Sequence, residues 1–135
     1  MTWKRTLISA SIVIALMQFP AGARTAQRSA EAEGSTRTLY LSLIRQARED
    51  GKARAALAYL DDFDRQHPND REAQIVRVNC LLDLGQIEQA EAAVQRIPAS
   101  DRSGPSMAVR GHVLSAQKRW PDAVVAYEAA QLVSP

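Results

Sequence analysis

The residues of this 135-residue chain with chemistry to offer are one cysteine, Cys80, two histidines, His67 and His112, and the acidic run DDFDRQHPND with Asp61, Asp62, Asp64 and Asp70. Their spacing does not assemble a reaction centre. Cys80 lies in the apolar stretch VNCLLDL, where a cysteine reads as a small buried hydrophobe, and with no second cysteine it forms no intramolecular disulfide. His67 and His112 stand forty-five residues apart, and neither has a second ligand cluster beside it. A calcium loop needs oxygen ligands at alternating positions, a glycine turn and a closing Glu; the acidic run lacks that order and reads as a solvated helix end. His67 and Asp70 near a helix terminus are too common a pairing to indicate catalysis, and the chain shows no nucleophile–base pair and no glycine-rich phosphate loop. These residues predict a non-enzymatic protein with no cofactor and no metal, whose work is done by surfaces.

Those surfaces need elements to carry them. Hydrophobic residues make up 46% of the chain and aromatics only 5%. A composition rich in alanine and leucine favours closely packed helices over sheets. At this length one domain is expected. The first residues, MTWKRTLISASIVIALMQFPAGARTAQ, give a positive start at Lys4 and Arg5, an apolar run from Leu7 to Phe19, and small residues at Ala21 and Ala23. That order predicts a secretory signal peptide over 1–23, cleaved after Ala23. The run is too short for a bilayer core, which takes about 20 residues; the alternative is an uncleaved anchor, the one case in which a membrane is a partner. Without Lys4 and Arg5 the remaining chain holds 15 basic and 15 acidic residues, so the pI near 9.0 is no nucleic-acid signal. Residues 24–35, RTAQRSAEAEGS, are polar and small with no apolar period and are expected to form a flexible leader.

From there a repeat takes over. Ala56 lies five residues after Gly51 and Ala90 five after Gly85; Ala56 and Ala90 are 34 apart, Ala90 and Ala123 33 apart. Units counted from Arg37, Arg71 and Gly104 carry small, large and small-to-medium apolar residues at positions 20, 24 and 27. These are Ala56, Leu60 and Phe63, then Ala90, Val94 and Ile97, then Ala123, Tyr127 and Ala130. The spacing puts each set on one helical face. First-helix positions 4, 7, 8 and 11 read Tyr40, Leu43, Ile44 and Ala47 in the first unit, and the turn reads Gly51, Gly85 and Lys118. Small residues permit two antiparallel helices to approach closely, and glycine supplies the left-handed backbone that ends the first of them. With these residues the chain resembles the tetratricopeptide repeat (TPR) family over 37–135. The resemblance implies an all-α fold: a short α-solenoid of three helix–turn–helix units, six antiparallel helices, over 36–135, with units of about 37–70, 71–103 and 104–135. The sequence departs from the pattern at Arg77 and Arg110, where position 7 is usually apolar, and at Pro98, four positions early, so IPASDRSGP is expected to be an irregular connection.

By the same resemblance the first helices line a concave groove. Position 9 gives a polar ladder of Arg45, Asn79 and His112; Arg48, Leu82 and Ser42 lie beside it. Such a mixed groove suits an extended peptide or a partner helix. The chaperone-tail clamp of some family members is absent, since Thr38, Glu72, Pro105, Ser42, Val76 and Val109 occupy its positions. In the closing helix, WPDAVVAYEAAQLVSP, Ala123, Tyr127 and Ala130 are expected to face its own first helix. Val125 and Leu132, edged by Glu128 and Gln131, are then an uncovered margin. That margin predicts a second interface, for a homodimer or a larger partner. The expectation is an exported, periplasmic binding scaffold of the bacterial envelope, with no nucleic-acid partner. By resemblance it is similar to accessory factors of Flp-type pilus assembly or secretion; the alternatives are exopolysaccharide export and a self-associating assembly subunit.

Overall fold

The computed structural model describes residues 21–133. The signal-peptide expectation falls almost wholly on residues 1–20, outside the described residues, as does Pro135. All regular structure among the described residues is helical: α1 (Ala21–Glu49), α2 (Ala53–Gln66), α3 (Arg71–Asp83), α4 (Ile87–Val94), α5 (Gly104–Ala116) and α6 (Trp120–Val133). No helix among the described residues is long and apolar enough to cross a membrane. The chain divides into two units at Gly34 and Ser35.

In the first of these units the described residues belong to α1, so 24–35, expected as a flexible leader, is helical. The reason is propensity without burial. Alanine, arginine, glutamine and glutamate favour the helix intrinsically, and residues 21–36 are all exposed, which is why no apolar period marks them.

The second unit holds the three hairpins. Each turn closes with the same pair of backbone bonds. Gly51 N–H donates to Arg48 O and Lys52 N–H to Ala47 O; Gly85 N–H donates to Leu82 O and Gln86 N–H to Leu81 O; Lys118 N–H donates to Ser115 O and Arg119 N–H to Leu114 O, all at 2.9 Å. Gly51, Gly85 and Lys118 all have positive φ, 76°, 70° and 62°. This is the left-handed helix stop that the repeat register predicts, kept in the third turn even though lysine stands there. Asp70 starts α3, its Oδ1 accepting from Ala73 N–H at 3.0 Å.

Burial follows the repeat. Ala56, Ala90 and Ala123 are all buried, as are Leu60, Phe63, Ile97 and Ala130. Two apolar clusters form, and α3 serves both: Ala73, Val76 and Cys80 join Leu41, Ile44, Leu60 and Phe63, while Val78 and Leu81 join Ala90, Ile97, Val109 and Val113. A helix that buries two faces must be apolar nearly all round, which is what IVRVNCLLD provides. In the third hairpin Tyr127 lies over Gly111, where an added Cβ would stand 2.6 Å from the ring. Leu43 departs from expectation. It is 56% exposed, because none of the helices α2–α6 covers that side of α1.

Candidate functional site

Along the first helices α1, α3 and α5, the ladder residues make contacts from helix to helix. Arg45 of α1 pairs with Glu72 of α3, and Arg48 Nε donates to Asp83 Oδ2 at 2.6 Å. His112 Nδ1 of α5 lies 3.3 Å from Asn79 Oδ1 of α3, and its ring rests 5.7 Å from that of Tyr127. Burial lowers the His112 pKa, and the positive charge of Arg48 adds to the effect. Leu82 is half-buried against the second apolar cluster, which makes it the apolar member of the line. Ser42 is exposed, and its hydroxyl donates to Thr38 O of its own helix at 2.9 Å, so it stands apart from the cross-helix network. Of the six groove residues Asn79 and His112 contact each other, Arg45 and Arg48 each pair with an acid of α3, and Leu82 packs on the second apolar cluster. The line presents paired charges of both signs and suits a partner that exchanges these ion pairs for its own.

A second set of polar contacts stitches unit to unit, and sequence reasoning passed over it. Arg37 Nε donates to Asp70 Oδ2 at 2.7 Å and Arg37 Nη2 to Glu72 Oε2 at 3.1 Å. One repeat later Arg71 Nη1 lies 3.6 Å from Asp101 Oδ2. Burial raises the Asp70 pKa, but the Arg37 hydrogen bonds and the Ala73 N–H outweigh it and hold the carboxyl below its ordinary value. The Asp101 carboxyl accepts from Ser106 Oγ at 2.6 Å and from Ser103 N–H at 3.0 Å, which draws its pKa down to about 2. Between these pairs lies a hollow of about 320 Å³ lined by Arg37, Arg71, Glu72, Ile75, Ser103 and Pro105. The available signal was the recurrence of Arg37 and Arg71 at the repeat spacing.

The two arginines at position 7 have structural work. Arg77 reaches back to Asp61 and Asp64 of α2, both at 2.9 Å. Arg110 donates to three backbone carbonyls, those of Ile97, Pro98 and Asp101, at 3.2, 2.9 and 2.9 Å. A guanidinium supplies several fixed donors, enough to satisfy carbonyls that the early end of α4 leaves open.

Cys80 is fully buried, and burial pushes its thiol pKa up, so it is an unreactive core residue. His67 caps α2 and stacks on Phe63 at 4.6 Å. Among the described residues no three His, Cys, Asp or Glu side chains converge as a metal site.

The repeat also relocates the outer face of the third unit. Val125 and Leu132 are 66% and 89% exposed, and Glu128 and Gln131 are exposed beside them. Ala58 and Arg65 hold the corresponding places in the first unit, and both stay exposed although the second unit stacks there. Val125 and Leu132 thus fall on the outer side of the array and not on the face where units meet. That face carries Ala108, Val124, Tyr127, Ala130 and Gln131, since Leu57, at the place of Val124, packs into both apolar clusters. Tyr127 does fold back on α5 as expected, with its hydroxyl 3.2 Å from Ser115 Oγ.

Hairpins joined by one repeated turn, stacked on one another through their first helices, define a helical-repeat solenoid. Comparison with known families agrees with this class: a tetratricopeptide repeat model matches residues 47–108, from the end of α1 into α5. No curated protein and no solved structure matches the chain.

Proposed function

We propose that this protein is a protein-binding scaffold that holds a peptide or helical segment of a partner along α1, α3 and α5. The observation that carries the reading is the line of cross-helix contacts Arg45–Glu72, Arg48–Asp83 and Asn79–His112. Partly exposed ion pairs contribute only about 0–1 kcal/mol to a fold. Two such pairs beside the Asn79–His112 contact and Leu82 are better explained by what they offer a ligand than by what they give to stability. The lysine-and-asparagine pattern for chaperone tails is missing, so the partner is of another kind.

The order of charged, apolar and small residues before Arg24 supports export, and with it a place in the bacterial envelope. Assembly of a pilus or secretion apparatus is the pathway that the family resemblance favours. Site-specific photo-crosslinking in intact cells tests the binding surface. A crosslinker replacing Asn79 should trap a discrete partner and one replacing Ala92, on the exposed side of α4, should not. Arg45→Ala with Arg48→Ala should abolish the adduct at unchanged helicity. Equal adducts from both positions would remove the groove from consideration. N-terminal sequencing of envelope fractions checks the export reading: Arg24 as first residue supports it, and a retained Met1 overturns cleavage.

A further inference from the structure

The two outer faces of the array differ from its inner junctions in a correlated way. At the first junction the large Leu41 and Phe63 share a cluster with the small Ala73 of the incoming helix. At the second, Ile75 and Ile97 hold the receiving places and the small Ser106, fully buried, is the incoming residue. At the far end of the third unit the receiving places hold Ala108 and Ala130. There an open hollow of about 630 Å³ is lined by Pro105, Ala108, Tyr127, Ala130 and Gln131, among others. The incoming place on α1, at the near end, holds Leu39, 64% exposed. Large-receives-small inside becomes small-faces-large at the ends.

The charge pairs of the first junction are missing from the outer faces. At the first junction Arg37 pairs with Asp70 and Arg77 with Asp64; at the second, Arg71 turns to Asp101 and Arg110 to backbone carbonyls. At the outer faces glycine (Gly104) stands in the arginine's place and threonine (Thr36) in the aspartate's; Leu43 and Gln131 replace the second pair. Both members of each pair change together. The exposed Leu39 and Leu43 stand out on such a face, since solvated ends of repeat arrays are polar.

We propose that these faces meet: α1 of a second copy seats head to tail on the α5–α6 face, with Leu39 in the hollow and Leu43 against Gln131. The contact is heterologous, so it propagates and does not stop at a two-fold dimer. It rests on residues other than those that carry the groove reading, Arg45, Arg48, Asn79 and His112.

The test is sedimentation velocity and light scattering of the purified protein across a concentration series. Wild type should grow beyond a dimer as concentration rises. Leu39→Lys blocks one face and Ala108→Lys the other, and each alone should reduce the average mass to that of one copy. Mixed together they should form a one-to-one dimer and nothing larger, since each retains one intact face. Should circular dichroism show that Ala108→Lys loses helicity, Val124→Lys, exposed on the same face, takes its place. A wild type that stays monomeric throughout overturns the proposal. So does a Leu39→Lys variant that still associates, which would mean that the α5–α6 faces pair with each other or meet another surface.

Discussion

At the junction of the first and second units, Phe63 is wholly buried beneath Tyr40, whose ring meets it edge-on at 5.6 Å, and α2 runs unbroken for 14 residues to Gln66. At the junction of the second and third, Ile97 takes the place of Phe63, and α4 stops after 8 residues at Val94. The chain reaches Ile97 through tight turns, Arg96 N–H donating to Ala93 O and Ile97 N–H to Val94 O, both at 3.1 Å. What the first junction gains from a large aromatic and a full helix, the second recovers from polar groups, Arg110 on three carbonyls and Asp101 on Ser106 and Ser103. The repeat conserves which positions meet; it does not conserve what kind of interaction holds them. A unit one residue short keeps its place in the stack because backbone left open by the missing turn is taken up by a side chain.

Removing the large apolar anchor should give the largest effect. Phe63→Ala leaves a cavity in a fully packed cluster and should lower stability by about 3–5 kcal/mol. Ile97→Ala should lose less, toward the low end of about 2–5 kcal/mol, because the irregular connection beside it relaxes into the space. Urea denaturation of the two variants measures both. A greater loss for Ile97→Ala would mean that the second junction depends on apolar packing as much as the first.

The arginines sharpen the contrast at the next level. Arg110→Ala strips a charged donor from three carbonyls and should lower stability by about 1.5–3 kcal/mol. Arg77→Ala breaks pairs with Asp61 and Asp64, carboxylates in ready contact with water, and should lower it by about 0–1 kcal/mol. Added salt should weaken the wild-type advantage over Arg77→Ala more than that over Arg110→Ala. Equal losses in the two variants would dissolve the distinction.

These two arginines also mark what a sequence records and what it does not. Both stand out in the repeat as misfits at an apolar position. Their purpose depends on what lies opposite, and for Arg110 that is backbone, which leaves no side-chain pattern to read. The ladder shows the same division. Spacing aligns Arg45, Asn79 and His112, because a 34-residue period carries register directly. That Glu72 and Asp83 come opposite Arg45 and Arg48 follows only once α1 and α3 lie side by side. The turns were fully legible, including the third, where register alone places Lys118 at a glycine's position. The end face was not, since Val125 and Leu132 look like a margin on a helical wheel and only the burial of Leu57, with the exposure of Ala58, tells which side receives a neighbour.

Acid should act on both junctions and more on the second. The folded Asp101 pKa is about 2, below the ordinary carboxylate value of about 3.9. A depressed pKa means that the stabilisation is complete above about pH 4 and is lost as pH falls through about 2. Asp70 at the first junction shifts in the same direction. Asp101→Asn should therefore be less stable than wild type at neutral pH and should decline less steeply between about pH 4 and pH 2. Thermal melts at stepped pH follow it, and a decline as steep as wild type's would place the acid sensitivity elsewhere.

The smallest effect concerns a strain that neither junction contains. Lys118 ends α5 at φ 62°, the conformation that Gly51 and Gly85 adopt without strain in the other two hairpins. A residue with a Cβ sits there at a penalty of about 1–2 kcal/mol, while glycine loses about 0.5–1 kcal/mol more backbone entropy on folding. The difference leaves Lys118→Gly about 0.5–1 kcal/mol more stable than wild type. The third hairpin thus carries a strain that the first two avoid, and its helices approach closely, with Tyr127 directly over Gly111. Differential scanning calorimetry should show a melting temperature raised by a few degrees. Gly85→Lys, the reciprocal change in the second hairpin, should lower it by a similar amount, since nothing lies within 4 Å of a Cβ at Gly85 and backbone strain alone is at stake. If Lys118→Gly brings no gain, the lysine side chain compensates for the strain it carries, and the three turns are energetically alike despite their residues.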